Sequence, residues 1–466
     1  MDLLIRNGQI IDPYNNQKKI ADISINDGKI VDIGAGIGNN AVAARVIDAA
    51  GKLVSPGLID MHVHLREPGQ EEKETIATGT KSAAAGGFTT IACMPNTQPV
   101  IDNKSLVEFI LSKSKQEGVV RVLPIGAISK GLKGEELAEI GQMIKAGAIA
   151  ISDDGRSIEN AVLMRRAFEY IRPFNVPIIS HCEDTTLSAG GCMHEGYYST
   201  ILGLPGIPSA AEEVMVARDI ILAEAAGARL HIAHVSTRKS VELVRQAKKR
   251  GVSVTCEVAP HHFILTDAAV CGDDDENLLT HAETRRTRRN PYAAVSGLSS
   301  TELAHAETRK NGFDTNTKMN PPLRDENDVE EILQGLSDGT IDVIATDHAP
   351  HTKTEKEQEY GRAPFGIIGL ETSLGLVLTE LVNNSVLTIT DALAKITVNP
   401  ARILGLEMSG IVPGAMADIT IIDPEAEWVV DVNTFASKAA NCPFHGWKLK
   451  GRAVMTIVDG RIVWEM

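Results

Sequence analysis

Two histidines, His62 and His64, end an apolar stretch in the run PGLIDMHVHLREPG (56–69), and Arg66 follows two residues later. Side chains two apart on an extended strand point the same way, so this pair can grip one metal ion between them. Further ligand types stand at the downstream ends of other apolar runs: Asp154 (beside Asp153), His181, His234 and Asp347. Imidazole nitrogen and carboxylate oxygen form a donor set suited to zinc, with manganese or cobalt less favoured. Six ligands exceed what one tetrahedral zinc with an open position takes. They suit two ions sharing a bridging carboxylate and a bridging hydroxide. Each residue alone has a plainer use, Asp153-Asp154-Gly155 as a turn, Asp347 as a helix cap, a buried histidine as a hydrogen-bonded core residue. Their joint occurrence at successive strand ends is what chance rarely supplies.

The neighbours of these residues suggest what the metal would act on. Arg66 lies close enough to the pair to bind an acid with its planar fork. Asn96 and Asn320 each follow an apolar run and can donate amide hydrogen bonds, although a turn is the commoner use of such an asparagine. His231, three residues before His234, should point to the opposite face of its strand and pack. His261 and His262 read as structural or as supports for the ligands.

Something must bring these residues together. Eight apolar runs alternate with amphipathic stretches: LIDMHVH, TTIACM, VRVLPIGAI, GAIAIS, VPIISH, RLHIAHV, VSVTCEV and IDVIAT. Strands alternating with helices predict a parallel sheet, and eight such units predict a closed (β/α)8 barrel of the TIM type, whose strands deliver their carboxyl ends to one rim. A doubly wound open sheet is the rival, but no G-x-G-x-x-G follows the first strand. The first 55 residues and the last stretch instead show short alternating segments broken by Asn-Gly and Asp-Gly, which is hairpin chemistry. The expected partition is a small β-sandwich module from 1–55 and 395–466 around a barrel at 56–394. A polar, basic stretch at 276–312 with an imperfect echo (THAETRR, AHAETRK) reads as a long loop insert, its His281 and His305 solvated. The charged stretch 352–362 (TKTEKEQEYGR) is expected to be a mobile surface segment.

Composition sets outer limits. The chain has 466 residues, 43% hydrophobic and 23% charged, with a formal net charge of −15. That charge argues against nucleic acid and anionic membrane as partners. No apolar run of eighteen and no secretory leader is visible, and the six cysteines form no C-x-x-C pair, as expected of reduced thiols in a cytoplasmic protein. An anionic substrate would need a local positive device, which metal ions and Arg66 would supply.

Seven segments in order, DMHVHLREPG (60–69), MPNT (94–97), SDDG (152–155), SHCED (180–184), HVST (234–237), KMNPPLR (318–324) and ATDHAPH (345–351), resemble the bacterial dihydroorotases. More narrowly, they are similar to the cyclic-amidohydrolase branch whose barrel is flanked by a terminal β-module. The resemblance implies reversible interconversion of N-carbamoyl-L-aspartate and L-dihydroorotate in pyrimidine (UMP) synthesis. It puts one Zn2+ on His62, His64 and Asp347 and another on His181 and His234. The residues alone leave Asp153 and Asp154 open as the bridge, and the resemblance favours Asp154. It makes Asp347 the general base and acid, and it assigns substrate contacts to His64, Arg66, Asn96, Asn320, His351 and the backbone of Phe365 and Gly366. It also suggests a homodimer and, in some relatives, association with a transcarbamoylase. Hydrolases of neutral cyclic ureides (dihydropyrimidinase, hydantoinase, allantoinase) resemble the same scaffold but bridge their metals with a carboxylated lysine, which SDDG does not offer. A catalytically inactive partner protein would be expected to have lost ligands, and all six positions are filled.

Overall fold

In the computed structural model, which describes residues 1–37, 43–272 and 312–466, the terminal segments pair with each other. β1 (Leu3–Asp12), β2 (Gln17–Asn26), β3 (Lys29–Gly34), β4 (Arg45–Asp48) and β5 (Leu53–Pro56) come from the amino end. The barrel strands are β6 (Leu58–Val63), β7 (Phe88–Cys93), β8 (Arg121–Gly126), β9 (Ala150–Ser152) and β10 (Ile178–Ser180), then β13 (Leu230–Ile232), β14 (Val254–Val258) and β15 (Val343–Ile344). A two-stranded excursion, β11 (Met193–His194) with β12 (Gly206–Ile207), separates the two groups. The carboxyl end supplies β16 (Ile419–Val429), β17 (Lys448–Val458) and β18 (Arg461–Glu465). The insert expected at 276–312, with His281 and His305, lies outside the described residues except for Gly312.

The terminal strands form one sheet in the order β18-β17-β16-β5-β1-β2-β3, with β4 parallel beside β1. Its core is its own, built from Ile5, Ile10, Ile23, Ile25, Val54, Ile419 and Ile457. Two Asp-Gly pairs make the tight turns the sequence suggests. Asp27 and Gly28 have φ of 49 and 76°, and Asp459 and Gly460 have 47 and 73°, the two successive positive values of a hairpin turn whose twist suits the strands. Asn7-Gly8 behaves differently. It is not a turn but a bulge inside β1, where the register to β2 shifts between Ile5 and Gly8. A Cβ on Gly8 would lie 2.4 Å from Val54 Cγ2, so the strand closes on β5 only because no side chain is there.

The barrel strands run parallel in the order β6-β7-β8-β9-β10-β13-β14-β15. Parallel bridges from His348, just past β15, to Val63 and to Ile367 bring the two ends of the sheet together. All six residues of β6 are buried, as a parallel strand covered on both faces requires. Inside, Met61, Ala92, Ile125, Ala150, Ile179, Ala233 and Val343 pack with Ile403 and Leu404 of the helix Val398–Leu404, which plugs the amino-terminal mouth. Outside, helices such as Ile76–Ala85, capped by Thr75, and Ala210–Ala226, ended by left-handed Gly227, cover the strands. Each fully buried aliphatic side chain here contributes about 1.5–3 kcal/mol. The apolar plug leaves only the opposite, carboxyl-end rim for chemistry. Among the described residues, no helix is long and apolar enough to cross a membrane.

Candidate metal centre

At that rim His62 and His64 close β6, Asp154 follows β9, His181 follows β10, His234 follows β13, and Asp347 follows β15. Asp154 sits at their centre. Its Oδ1 lies 3.3 Å from His62 Nε2, 3.6 Å from His234 Nε2 and 3.9 Å from His181 Nδ1, and its Oδ2 lies 3.4 Å from His64 Nε2. Asp347 Oδ1 approaches His64 Nε2 at 3.1 Å and His62 Nε2 at 3.4 Å. Asp153 turns away and accepts from the backbone N–H of Ile128 and Ser129 and from the Ser129 hydroxyl. The adjacent aspartates thus divide into one that ties two barrel loops together and one that faces the imidazoles.

The outer nitrogens of the histidines fix how each ring is turned. His62 Nδ1 lies 2.5 Å from Glu257 Oε1, His64 Nδ1 2.8 Å from Asn96 Oδ1, and His181 Nε2 3.0 Å from Glu183 Oε2. Carboxylate and amide oxygens only accept, so these outer nitrogens donate, and that fixes each ring with its other nitrogen, the one able to bind a metal, turned toward the cluster. His62 Nε2 and Asp154 Oδ1 are buried without a hydrogen-bond partner. Three overlapping triplets, His62-His64-Asp154, His62-His234-Asp347 and Asp154-His181-His234, each hold their ligand atoms within 4.8 Å of one another. Orphaned, inward-facing donors of this kind fit divalent ions and little else, since an unpaired buried polar atom is costly.

The charges agree. Burial would raise the carboxyls of Asp154 and Asp347, yet His62 above all, with His234 close to Asp154 and a hydrogen bond from His64 to Asp347, holds both well below the usual carboxylate range. Burial would lower His62, but Asp154, Glu257 and Asp347 together raise it well above the usual imidazole value. Three site residues, Arg66, His234 and Asp347, adopt left-handed backbone with φ of 62, 30 and 50°. Such conformations cost about 1–3 kcal/mol each and persist where the surroundings dictate them.

Arg66 is buried beside the cluster, its Nε donating to Pro350 O at 3.1 Å. Burial pushes its guanidinium down to about 10, so it stays charged at neutral pH. His351 lies 3.4 Å away, with its Nε2–H given to Phe365 O at 2.8 Å. Burial, then Arg66 and nearby lysines, push His351 down to about 3, which leaves the ring neutral. Asn320 reaches the same mouth, donating to Glu183 Oε2 at 2.8 Å. The N–H of Gly366 donates to Lys318 O at 2.9 Å, and Phe365 O accepts from the His351 ring. The stretch 352–362 is not a loose surface segment. Lys356 is buried with Nζ donating to Lys318, Pro364 and Gly366 carbonyls, and Tyr360 is buried too. Two buried anchors in a run that reads as charged pin it against the site.

The sequence reading passed over several supporting residues. Glu257, in the apolar run VSVTCEV, bridges His62 to His231, whose Nε2 is 3.2 Å from Glu257 Oε2. A lone carboxylate inside an apolar strand was the available signal, and His231, expected only to pack, steadies it. Asp60, pushed up to about 7 by burial, accepts from the N–H of His62 and Thr346 and so links the first and last strands. Of the histidine pair after β14, His262 donates to Pro321 O at 2.9 Å, and both rings are buried.

The chain is similar to known proteins along its whole length. The "Dihydro-orotase-like" family profile matches residues 51–240 and the "Amidohydrolase family" profile residues 232–464. A protein named dihydroorotase from Pelotomaculum thermopropionicum is 55% identical over 100% of this chain and 99% of its own. Another so named, from Acetivibrio thermocellus, is 52% identical over 99% of this chain and 98% of its own. The solved L-hydantoinase (dihydropyrimidinase) of Arthrobacter aurescens superposes with a TM-score of 0.80 at 26% identity, covering 100% of this chain and 96% of that one. Likeness at half of all positions from end to end means common descent, and the chain belongs to the dihydroorotase family of metal-dependent cyclic amidohydrolases.

Proposed function

We propose that the protein interconverts N-carbamoyl-L-aspartate and L-dihydroorotate in pyrimidine synthesis, with two zinc ions per subunit. His62, His64 and Asp347 would hold one ion, His181 and His234 the other, and Asp154 both. The observation that carries the choice of an acidic substrate is Arg66, a buried guanidinium with no carboxylate in ion-pair range among the described residues. A buried, unpaired cation is costly, and a substrate carboxylate would complete it.

Bound divalent ions lower the pKa of water to about 7 and polarise a carbonyl, which supplies nucleophile and electrophile at neutral pH. The side chains do the rest. Arg66 binds the ring carboxylate. Asn96 accepts from His64 Nδ1 at its Oδ1 and keeps its amide N–H groups for the substrate, and Asn320 and His351 flank the ring. The Asp347 carboxylate takes the proton of the attacking water and returns it to the departing ring nitrogen. In ring closure it does the reverse.

One paired assay tests this reading: metal content by elemental analysis, alongside turnover of dihydroorotate, dihydrouracil and allantoin. We expect bound zinc and activity on dihydroorotate alone. Preference for a neutral ring would overturn the substrate assignment, and full activity without metal the cofactor.

Two substitutions probe single contacts. Arg66→Ala should raise KM for dihydroorotate by roughly 10- to 100-fold, the value of a hydrogen-bonded charge partner, with metal content kept. An unchanged KM would remove Arg66 from carboxylate binding. Glu257→Gln keeps an acceptor behind His62 but loses its charge, so metal affinity measured against a chelator should drop about tenfold, the lower end for such partners. Wild-type affinity would leave Glu257 with a purely structural part.

A further inference from the structure

The connection between β16 and β17 belongs to the terminal sheet, yet it crosses the rim of the barrel. Its Ala436 and Ser437 N–H groups donate to Glu371, and the Ser437 hydroxyl donates to Glu74. Asn441, on this connection, is 4% exposed. Asn441 Oδ1 accepts from the His351 N–H at 3.2 Å. Its Nδ2 donates one proton to Ala349 O at 3.1 Å and the other to Gly366 O at 3.0 Å. Its own carbonyl accepts from the Ile368 N–H at 3.0 Å. The orientation of the amide is unambiguous, because one N–H and two carbonyls face it.

We propose that Asn441 is a positioning residue for substrate binding, holding the His351 and Gly366 segments at a fixed spacing over the metal centre. This rests on the reading that those two segments face the substrate. The two segments leave β15 in succession and touch each other closely: a Cβ on Gly366, whose φ is 122°, would lie 2.8 Å from Ala349 Cβ. One amide supplies the acceptor for His351 N–H, the donor for Ala349 O and a second donor for Gly366 O, which Lys356 also reaches. No other side chain offers that set at that length, so any replacement leaves a buried carbonyl or N–H unpaired. The ring of His351, beside Arg66, then loses its fixed station.

The test uses the metal-loaded full chain and begins with the wild type; if that fails to turn over dihydroorotate, the functional reading falls and not this one. Given an active wild type, Asn441→Asp and Asn441→Ala should each raise KM by about tenfold or more, the effect of losing two or three hydrogen bonds that order the loop. Their kcat should stay within about threefold of wild type and their bound metal should not change, since no ligand is touched. Asn441→Asp keeps the shape but turns a carboxylate toward two carbonyls, so it should match or exceed the alanine effect. Thr434→Ala, exposed on the same connection, should change nothing. A wild-type KM in both Asn441 variants overturns the proposal. So does a loss of folded, active fraction with KM unmoved, or failure of both variants to fold, since either would make Asn441 a core residue only.

Discussion

Asp347→Asn is expected to cut kcat for opening of dihydroorotate by about 10³-fold, mid-range for a positioned general base. The substitution keeps size and hydrogen-bonding shape but cannot take up a proton. The carboxylate stands at the mouth of the barrel, 3.1 Å from His64 Nε2, on a left-handed residue that aims it at the cluster. Its pH signature follows from its charge. Ring opening needs the carboxylate and fades as pH falls through its pKa; ring closure needs the acid and fades as pH rises through the same value. Burial would raise that pKa, but His62 and His64 outweigh it and keep the group below the ordinary carboxylate range, so the base form is present throughout the neutral region. In Asp347→Asn the acid limb of the opening profile should vanish with the activity, whereas metal content should fall far less than turnover. Rates measured in both directions across pH, with metal analysis on the same samples, decide it. A variant retaining near-wild-type kcat would take Asp347 out of the proton transfer.

What could be read from the sequence was what short-range periodicity encodes. His62 and His64 share a strand face because their spacing is two, and the other expected ligands stand out because each ends an apolar run. The barrel and the terminal sheet follow from the change between alternating and strand-helix patterning. Asn7-Gly8 misled because the same dipeptide serves a hairpin turn and a bulge, and only the approach of Val54 tells them apart. The 352–362 stretch misled because its charged composition says nothing of the carbonyls that receive Lys356. Glu257 is 195 residues from His62, and Asn441 is 75 to 92 from the groups its side chain holds. Supports behind a site are set by three-dimensional adjacency, which leaves no local spacing to detect. The choice between Asp153 and Asp154 is of the same kind: neighbouring residues of one type, distinguished only by the loop that reaches Asp153.

Asp154→Asn and Asp153→Asn should therefore have opposite consequences. Among the described residues Asp154 is the one carboxylate within 4 Å of all four histidines, and its loss leaves imidazoles around a neutral amide. Metal affinity should fall by more than roughly 100-fold, beyond the upper end for partners one layer further out, and turnover should fall with it. The fold should survive, because Asp154 is part of neither the apolar core of the terminal sheet nor that of the barrel interior. Asp153→Asn should keep its metal but lose stability, since Asp153 joins its loop to Ile128 and Ser129. Chelator titration and thermal melting of the two variants side by side separate the roles. Acidity adds a second criterion. Without metal, His62 is held protonated by Asp154, Glu257 and Asp347 against the pull of burial, so an incoming cation must displace a proton and wild-type affinity should fall as pH falls. Removing the Asp154 charge weakens the hold on that proton, and the residual affinity of Asp154→Asn should depend less steeply on pH. Wild-type metal affinity in Asp154→Asn would sink the shared-carboxylate arrangement, and an equally steep pH dependence would show that the proton was never held by Asp154.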